Sequence, residues 1–403
     1  MLVVQKFGGS SLADADRIRH VAGIIANEYR QGHEVVAVLS AQGDTTDELE
    51  ARGYELNPKA SRREMDALLS CGESMSIALM AMALEALGLP VISLTGRQAG
   101  FLTDSQYANA RIKSIDPERM RTELDKRNIV LLAGFQGYNR YDDVTTLGRG
   151  GSNTSAVAAA AALKADLCRN YTDVDGVYTA DPRIVPDARK LAEITYDEML
   201  ELASLGANIL HNRSVEMAKR FNVPLEVLSS FTPDVPGTKI TEVTKMEKMQ
   251  VSGVARDNDV ARVSLVNLED RPGIAARIFS LLAKAKVNVD IILQSIGRDD
   301  TKDISFTVSL KNLDAGLRIL REHQEQIGFQ DLVVSDSVSK VSMVGAGMVN
   351  NPGVAARMFE ALSDAGINIQ MISTSEIKVS VLIDKADADR AVRAVHDRFF
   401  GEV

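Results

Sequence analysis

Short apolar runs alternate with stretches of helical periodicity through roughly the first 240 residues of the chain. Residues 35–39 read Val-Val-Ala-Val-Leu, which predicts a buried strand, whereas Ile18, Val21 and Ile25 recur at the spacing of one helix face. Repeated strand and helix units of this kind predict an α/β domain, in which helices cover both faces of a mostly parallel sheet. The other predicted strands are 2–7, 90–95, 129–134 and 223–229, and the other predicted helices are 65–87 and 152–165, the last one capped by Ser152.

The pattern changes near residues 236–250, where the sequence has no clean apolar face, and an internal repeat follows. Residues 270–292 return as residues 350–372 with 10 identities in 23 positions. Each copy has the order strand, turn, helix, strand, which predicts two small α+β domains. The predicted domains are therefore residues 1–240, 250–335 and 336–403.

The composition narrows the classes of function. The 403 residues carry a formal net charge of −9, which argues against a protein that binds nucleic acid through a basic surface. No run of about 18 apolar residues predicts a membrane span, and no signal-peptide pattern stands at the N-terminus. Two isolated cysteines and five histidines without ligand spacing predict a cytoplasmic protein without a metal site of its own.

Two glycine-rich turns carry the candidate chemistry. Residues 5–11 read Gln-Lys-Phe-Gly-Gly-Ser-Ser, and residues 148–155 read Gly-Arg-Gly-Gly-Ser-Asn-Thr-Ser. Each turn lies between a β-type run and a helical run, so bare backbone N–H groups and one cation would stand at the carboxyl end of a strand. Such turns suit a phosphorylated nucleotide and an anionic substrate. On spacing alone, Lys6 could equally be a solvated lysine at the end of a strand.

Longer motifs resemble those of the aspartate kinases (aspartokinases), from the first residue to the last. The resemblance implies an amino-acid-kinase-like three-layer sandwich followed by two ferredoxin-like ACT domains. It also implies ATP-dependent phosphorylation of the side-chain carboxylate of L-aspartate to 4-phospho-L-aspartate, which opens the pathway to lysine, threonine and methionine. The motifs are Lys-Phe-Gly-Gly-Ser-Ser at 6–11, Ser-Ala-Gln-Gly-Asp-Thr-Thr-Asp at 40–47, Gly-Arg-Gly-Gly-Ser at 148–152 and Tyr-Thr-Asp-Val-Asp-Gly-Val-Tyr-Thr-Ala-Asp-Pro-Arg at 171–183.

The resemblance assigns the nucleotide to the first turn and to residues 171–183. Phosphoryl transfer needs alignment and charge neutralisation more than covalent help, and Lys6 is the candidate neutralising cation. Glycines without a Cβ let backbone N–H groups approach the phosphates. Mg²⁺ would be held mainly by phosphates and water, so no protein ligand is assigned to it. The residues predicted to bind ATP are Lys6, Gly8, Gly9, Ser10, Thr172, Asp173, Tyr178, Asp181 and Arg183.

The same resemblance assigns the aspartate substrate to the second turn and its surroundings. The planar guanidinium of Arg149 suits a bidentate grip on a carboxylate. Glu73 would pair with the substrate ammonium, although without the resemblance it would be interpreted as an ordinary exposed glutamate on a helix. The residues predicted to bind aspartate are Thr46, Glu73, Arg149 and Ser152.

Three positions depart from the family pattern, and one of them is Arg97, where relatives often have a tryptophan. Asn153 stands where the family usually has an aspartate, and Asn208 stands where many members have a lysine. Both lose a charge, which predicts a slower kinase or a site that compensates. With Lys6 and Arg149, these two residues complete the predicted catalytic set.

The repeat implies regulation. Paired ACT domains in this family bind lysine, threonine or both, and they commonly pair across subunits, so a homo-oligomer is expected; such pairing also covers exposed sheet edges. On the residues alone, the positions predicted to contact the effector could instead cap turns or take part in packing. The candidate effector contacts are Asp270, Gln294, Ser295, Asp303 and Asn368.

Two other interpretations stay open at this stage. One is a non-catalytic amino-acid sensor that keeps the kinase fold as a scaffold, which would explain Asn153 and Asn208. The other is a related kinase that acts on a different carboxylate or on a carbamate. The fold alone does not separate them, because one fold hosts many functions. Thr46, Glu73 and Arg149 together with the repeat favour aspartate.

Overall fold

The computed structural model describes residues 1–204, 210–242, 251–295, 301–348, 351 and 353–401. They form two compact units. The first comprises Met1–Tyr178 and Arg189–Glu247, and the second comprises Thr179–Ala188 and Lys248–Val403. The predicted boundary at residue 240 does not anticipate the ten residues from 179 to 188 that pack with the second unit; the three predicted domain ranges stay predictions.

The first unit is built on an eight-stranded sheet with a four-stranded sheet beside it in the same unit. In chain order its elements are β1 Leu2–Phe7, α1 Ala15–Arg30, β2 Glu34–Leu39, α2 Thr45–Leu56, α3 Arg62–Ala86, β3 Val91–Leu94, β4 Phe101–Thr103, β5 Ile112–Ile115, α4 Glu118–Asp125, β6 Ile129–Ala133, β7 Gln136–Tyr138, β8 Val144–Thr146, α5 Gly151–Leu163, β9 Leu167–Thr172, β10 Glu193–Thr195, α6 Tyr196–Ser204, α7 Asn212–Phe221, β11 Leu225–Ser229 and β12 Thr238–Thr241.

The large sheet has the strand order β10-β12-β11-β9-β1-β2-β6-β3, and most neighbours run parallel, whereas β12 runs antiparallel to β11. Phe7, Val35 and Leu39 pack on one face against α1 and α3. Side chains alternate along a strand, so the intervening residues of β1 and β2 face the other side, where α5 lies against β1, β2 and β9. The predicted sheet covered on both faces is confirmed.

Helix α5 begins at Gly151, two residues earlier than a cap at Ser152 would allow. Gly150 is the residue before the helix, with a φ of 69°, and Ser152 lies inside the first turn. The prediction that Ser152 caps this helix is therefore wrong. Gly148 also has a positive φ, 78°, so two left-handed residues shape the turn that starts the helix.

The small sheet, in the order β5-β4-β7-β8, is tied to α3 by a buried carboxylate. Asp66 accepts hydrogen bonds from Ala108 N (3.0 Å), Thr146 N (2.9 Å) and Thr146 Oγ1 (2.7 Å). Burial raises the pKa of Asp66, while these hydrogen bonds oppose the rise. Because β8 leads into the second glycine-rich turn, this carboxylate anchors the entry to that turn.

Helix α3 is, by length and composition, apolar enough to cross a membrane. It nevertheless buries Asp66 and Glu73, and it packs along β3, β6 and β8 of the first unit. Such burial of charged side chains inside a folded domain is typical of a core helix.

The second unit contains two four-stranded antiparallel sheets, β15-β16-β14-β17 and β13-β18-β20-β19. Matching hydroxyl pairs join the central strands of the two repeats: Ser264 with Ser305 (Oγ to Oγ, 2.8 Å) and Ser342 with Ser380 (2.7 Å). The predicted pair of α+β domains is confirmed. Its elements are β13 Gly253–Asp257, β14 Ala261–Glu269, α8 Ile274–Lys284, β15 Val289–Gln294, β16 Thr301–Val308, α9 Leu310–Glu322, α10 Gln324–Ile327, β17 Asp331–Ser335, β18 Val338–Val344, α11 Val354–Asp364, β19 Met371–Ser375, β20 Lys378–Asp384 and α12 Ala388–Phe400.

Candidate active site

The loops that follow the central strands meet at the carboxyl edge of the large sheet. Gly43 N, after β2, donates to Gly9 O, after β1 (3.0 Å). A Cβ on Gly9 would lie 2.8 Å from Ala41 O, so only glycine allows this approach. Ser11 Oγ lies 2.7 Å from Ser230 Oγ, after β11. The first glycine-rich turn therefore lies at the end of a sheet where ligands bind in such folds.

Lys6 is buried at this edge. Its side chain is 8% exposed, and a Cβ on Gly8 would lie 3.4 Å from Lys6 Nζ, so the ammonium lies beside the glycine turn. Burial lowers the pKa of Lys6 to about 8, and the negative charge of Asp173 partly opposes this. The alternative of a solvated lysine at a strand end is excluded, because such a side chain would be exposed.

The loop after β9 continues the same edge. β9 pairs with β1 in parallel, and the rings of Tyr171 and Phe7 stack with centroids 4.7 Å apart. Thr172 Oγ1 donates to Asp173 Oδ1 (3.0 Å). The structure thus brings together Lys6 and the first residues of the predicted nucleotide segment.

Farther along this loop, the side chains are held by internal hydrogen bonds. Tyr178 Oη donates to Asp175 Oδ1 (2.8 Å), and Lys190 Nζ lies 3.0 Å from Asp175 Oδ2. These contacts lower the pKa of Asp175, although burial, which acts the other way, is the largest single influence. Among the described residues, no cluster of three or more histidine, cysteine, aspartate or glutamate side chains could hold a metal ion.

The second glycine-rich turn presents Arg149 to solvent. Gly150 packs so closely on His211 that a Cβ there would lie 2.4 Å from His211 Cβ. The pKa of His211 is lowered by burial first and then by the positive charges of Arg213 and Arg149. Arg149 and His211 are therefore neighbours in the charge field of the site.

Arg213 holds the chain that enters this turn through two hydrogen bonds. Its guanidinium donates to Leu147 O (3.0 Å) and to Ala110 O (2.8 Å), which fixes the chain just before Gly148. Sequence reasoning missed both His211 and Arg213. The neighbours that give them meaning are more than 60 residues away in the chain, so no local signal could have found them.

Glu73 is a buried carboxylate with an available oxygen. It is 3% exposed; Oε1 accepts from Ala41 N (3.2 Å), and Oε2 has no hydrogen-bond partner among the described residues. Burial raises the pKa of Glu73 to about 7. An ordinary exposed glutamate is excluded here. Thr46 lies half-buried in the first turn of α2, next to Thr45, whose methyl group lies near Gly72.

Ser152 and Asn153 lie at the start of α5. A Cβ on Gly134, which follows β6, would lie 2.7 Å from Ser152 Oγ, and Gly134 N donates to Leu39 O at the end of β2 (2.9 Å). Ser152 is thus at the same carboxyl edge as the first turn. Asn153 is half-buried one residue later.

A third residue that sequence reasoning missed lies beside Lys6. Asn170 pairs with Lys6 across β9 and β1, is 5% exposed, and has no hydrogen-bond partner for either side-chain amide atom among the described residues. A buried amide without partners is costly and uncommon. The same strand also contains Arg169 and Thr172, so the local sequence does not single out Asn170.

Two predicted nucleotide-binding residues belong to the second unit, and one predicted catalytic residue is not among the described residues. Asp181 and Arg183 belong to the second unit, where Arg183 pairs with Asp181 (2.7 Å) and is largely exposed. Asn208 lies outside the described residues.

The candidate effector residues lie in the second unit. Ser295 Oγ accepts from Asp303 N (3.0 Å), and Lys302 Nζ lies 2.9 Å from Asp270 Oδ1. Gln294 ends β15 beside them, so four of the five candidates cluster in the first repeat. Asn368 is exposed in the second repeat, before β19.

Comparison with known proteins agrees with this architecture. A model of the amino acid kinase family matches residues 1–229, and a model of the ACT domain matches residues 263–324 and 341–399. The molecule is thus a kinase of the amino-acid-kinase class with regulatory ACT domains.

Relatives over the full chain give the narrower family. The aspartokinase of Corynebacterium glutamicum is 51% identical, with 99% of this chain and 96% of that protein covered, and that of Geobacillus stearothermophilus is 48% identical, with 99% and 97% covered. Escherichia coli aspartokinase III in complex with aspartate and ADP is similar in structure, with 25% identity, a TM-score of 0.84 and coverage of 99% and 100%. The same protein with lysine and aspartate gives a TM-score of 0.77 with 99% of each chain covered. This chain belongs to the aspartokinase family, and it is an enzyme that uses a nucleotide.

Proposed function

We propose that this enzyme transfers the γ-phosphoryl group of ATP to the side-chain carboxylate of L-aspartate, forming 4-phospho-L-aspartate and ADP. A carboxylate oxygen attacks the γ-phosphorus, and the bond from that phosphorus to the bridging oxygen of ADP breaks. The carboxylate needs no deprotonation, so the protein's task is alignment and charge neutralisation.

The observation that carries the proposal is the buried ammonium of Lys6 beside a glycine turn at the carboxyl edge. A desolvated cation with a pKa of about 8 lacks a full counter-charge, and a polyphosphate would supply it. Fixed cations of this kind stabilise the charge that develops on the transferred group. The proposed nucleotide contacts are Lys6, Gly8, Gly9, Ser10, Thr172, Asp173 and Tyr178. Asp181 and Arg183, which follow Tyr178 in the same sequence motif, complete the proposed set.

The acceptor would lie between the two turns. Arg149, exposed and fork-shaped, would hold the carboxylate of the substrate, with Ser152 and Thr46 beside it. The unpartnered oxygen of Glu73 is available for the substrate ammonium. The crystal structure of the Escherichia coli relative in complex with aspartate and ADP supports this substrate pair.

Mg²⁺ would neutralise and orient the phosphates when bound. Asp175 is already engaged with Tyr178 and Lys190, whereas Asp173, whose negative charge acts on Lys6, could accept hydrogen bonds from metal-bound water. Mg²⁺ usually keeps several waters, which fits a site with few protein ligands.

We extend the proposal to regulation and location. Lysine, threonine or both would bind the ACT domains, with Asp270, Gln294, Ser295, Asp303 and Asn368 as contacts, and would inhibit an enzyme at the start of their own biosynthesis. The structure of the Escherichia coli relative with lysine and aspartate supports a lysine-binding member of the family. Assembly through ACT domains and a cytoplasmic location belong to the same proposal.

The test is a coupled assay of ADP release with L-aspartate, L-glutamate or no acceptor, each with and without lysine and threonine. Aspartate-dependent release that either amino acid lowers is the expected result. A protein that binds ADP but produces no ADP from ATP with any acceptor would favour the non-catalytic sensor. Asn153 and Asn208 make this sensor the second candidate function. Equal release with glutamate would contradict the assigned acceptor.

A further inference from the structure

The strap, defined as residues 179–188, leaves and re-enters the first unit at one place. Tyr178 and Lys190 form an isolated antiparallel bridge, and Leu191 N donates to Val177 O (2.8 Å). The two ends of the strap are therefore held together as the base of a hairpin.

This base is fixed by hydrogen bonds to other residues of the first unit. Thr238 Oγ1 accepts from Val177 N (2.8 Å) and donates to Leu191 O (2.6 Å). Lys190 Nζ binds both Asp175 Oδ2 (3.0 Å) and Pro236 O (2.8 Å). The end of the loop that starts at Thr172 thus has a defined position within the first unit.

The strap itself is part of the core of the second unit. Ala180, Ile184 and Val185 are buried in the same hydrophobic cluster as Val392 and Phe400 of α12. Burying these apolar side chains removes them from water and stabilises the attachment of the strap to this core. Among the described residues, the core cluster of the first repeat contains no residue of the strap, so the strap belongs to the second repeat alone.

Buried polar contacts fix the strap in this core. Thr179 Oγ1 and His396 Nε2 are 2.9 Å apart, and the His396 ring, 3% exposed, stacks on Phe400. Thr179 O accepts from Val254 N at 2.7 Å. We call the hydrogen-bonded pair Thr179 and His396 the clip.

We infer that the clip positions the nucleotide loop and couples it to the ACT domains. The reasoning rests on the proposed function, in which ATP lies against residues 172–178. One peptide bond separates Tyr178 from Thr179, so a change in the packing of the second repeat alters the strain on that loop. Coupling is reciprocal: if an effector lowers nucleotide affinity through the strap, the nucleotide lowers effector affinity equally.

The first experiment removes the clip in the full-length protein. Thr179→Val and His396→Leu delete one partner each, whereas Thr179→Ser and His396→Gln keep a hydroxyl and a polar atom within reach. We expect the first two variants to weaken ADP binding in calorimetry by roughly threefold to tenfold, which corresponds to the net value of about one buried hydrogen bond. The second two should restore binding, and the KM for aspartate should change less than twofold.

The matched control is Ser342→Ala. This substitution breaks the buried hydroxyl pair of Ser342 and Ser380, which lies in the same repeat. Val341 and Met343, the strand neighbours of Ser342, face the helices, whereas Ser342 faces the other side of the sheet. It should lower Tm as Thr179→Val does but leave ADP affinity unchanged. Thr179→Val should also reduce the inhibition by lysine or threonine, whichever acts on the wild type.

The second experiment needs no variant. Hydrogen exchange is followed in the wild-type protein with and without ADP. We expect ADP to slow exchange in the strap and in α12, and to leave α9 of the first repeat unchanged.

Two results would overturn the inference. One is a loss of Tm in the clip variants without a change in ADP affinity, since that shows a role in folding only. The other is unchanged exchange in α12 when ADP is bound. ADP binding is measured apart from turnover, so an enzyme that binds ADP but does not phosphorylate aspartate would contradict the proposed function and leave the clip standing. A wild-type protein that does not bind ADP would contradict both.

Discussion

Lys6 and Arg149, the cations of the two glycine-rich turns, differ in how the fold treats them. Lys6 is 8% exposed in the middle of a parallel sheet, whereas Arg149 is exposed in a turn shaped by left-handed glycines. Burial removes most of the water around the Lys6 side chain and lowers its pKa to about 8. Arg149 keeps its water until a ligand arrives.

The difference separates two ways of preparing a charge. A buried cation is oriented before the reaction and acts at full strength in a low dielectric, but its charged form is costly without an anion. An exposed arginine costs little in the free enzyme and becomes ordered when it grips a carboxylate. The first suits charge that develops during the reaction, and the second suits binding.

The largest expected effect tests the buried cation. Lys6→Met should reduce kcat by about 100-fold to 1,000-fold, since the loss of one preorganised contact costs about 2.7–4 kcal/mol. Steady-state assays at saturating ATP and aspartate measure it. Lys59→Met, on an exposed loop, is the control. A change of less than tenfold in Lys6→Met would remove Lys6 from the catalytic set.

The exposed cation should respond differently. Arg149→Met should raise the KM for aspartate by roughly 10-fold to 100-fold, because a charge-assisted hydrogen bond is worth about 1.5–3 kcal/mol, while ADP affinity stays nearly constant. Arg149→Lys should recover only part of the loss. Arg30→Met, exposed at the end of α1, serves as the control. A fall in kcat with an unchanged KM would contradict the contrast with Lys6.

Glu73 adds a pH dependence to the substrate side. Its pKa of about 7, raised by burial, means that the charged form that would bind an ammonium is lost as pH falls through 7. We expect kcat/KM for aspartate to fall about tenfold per pH unit below 7, and Glu73→Gln to abolish this dependence. Glu85→Gln, exposed on the same helix, should keep it.

The same carboxyl affects stability with a definite sign. Its folded-state pKa is raised above the unfolded value of about 4.5, so the folded protein loses stability relative to Glu73→Gln as pH rises from 4.5 to 7. Above pH 7 the difference stays constant at up to about 3 kcal/mol. The assigned burial effect would be contradicted if the difference in Tm between the wild type and Glu73→Gln were the same at pH 5 and at pH 8.

Asn153→Asp should have a smaller effect in the opposite direction. A charge-assisted hydrogen bond is about twice as strong as a neutral one, so restoring the carboxylate should raise kcat by roughly fivefold. Asn27→Asp, exposed on α1, is the matched control. An unchanged or lower rate at saturating substrates would show that Asn153 does not impair this enzyme.

The smallest effect is a fraction of a proton. Phosphates next to Lys6 should raise its lowered pKa, so ADP binding near pH 8 should take up about half a proton. Calorimetry in buffers of different ionisation enthalpy measures this uptake. Lys6→Met should lose it and Arg149→Met should keep it; uptake that persists in Lys6→Met would assign the proton to another group.

The sequence was sufficient for those features that depend on neighbours along the chain. Hydrophobic patterning predicted β2 and α1, residue identities between 270–292 and 350–372 revealed the repeat, and the glycine motifs located both turns. The burial of Lys6 was not predictable in this way, because it depends on β2 and β9, of which β9 is more than 160 residues away. The cap of α5 was assigned to Ser152 by residue preference, but Gly148 and Gly150 decide where that helix begins.

The residues that the sequence analysis missed are those whose contacts lie far away along the chain. Arg213 and His211 support the second turn from another helix, and Asn170 gains its meaning only from the register between β9 and β1. Asp181 and Arg183 belong to a continuous motif, yet packing places them in the second unit. A linear motif shows which residues occur together in the chain but not which core they join.

The ten residues at 179–188 set a rule for engineering this family member. A chimera that replaces everything after residue 240 with the regulatory half of a relative would leave Ile184 and Val185 facing a foreign α12. Exchange of effector specificity therefore requires a discontinuous graft, in which the strap is transferred together with the C-terminal module into whose core it packs.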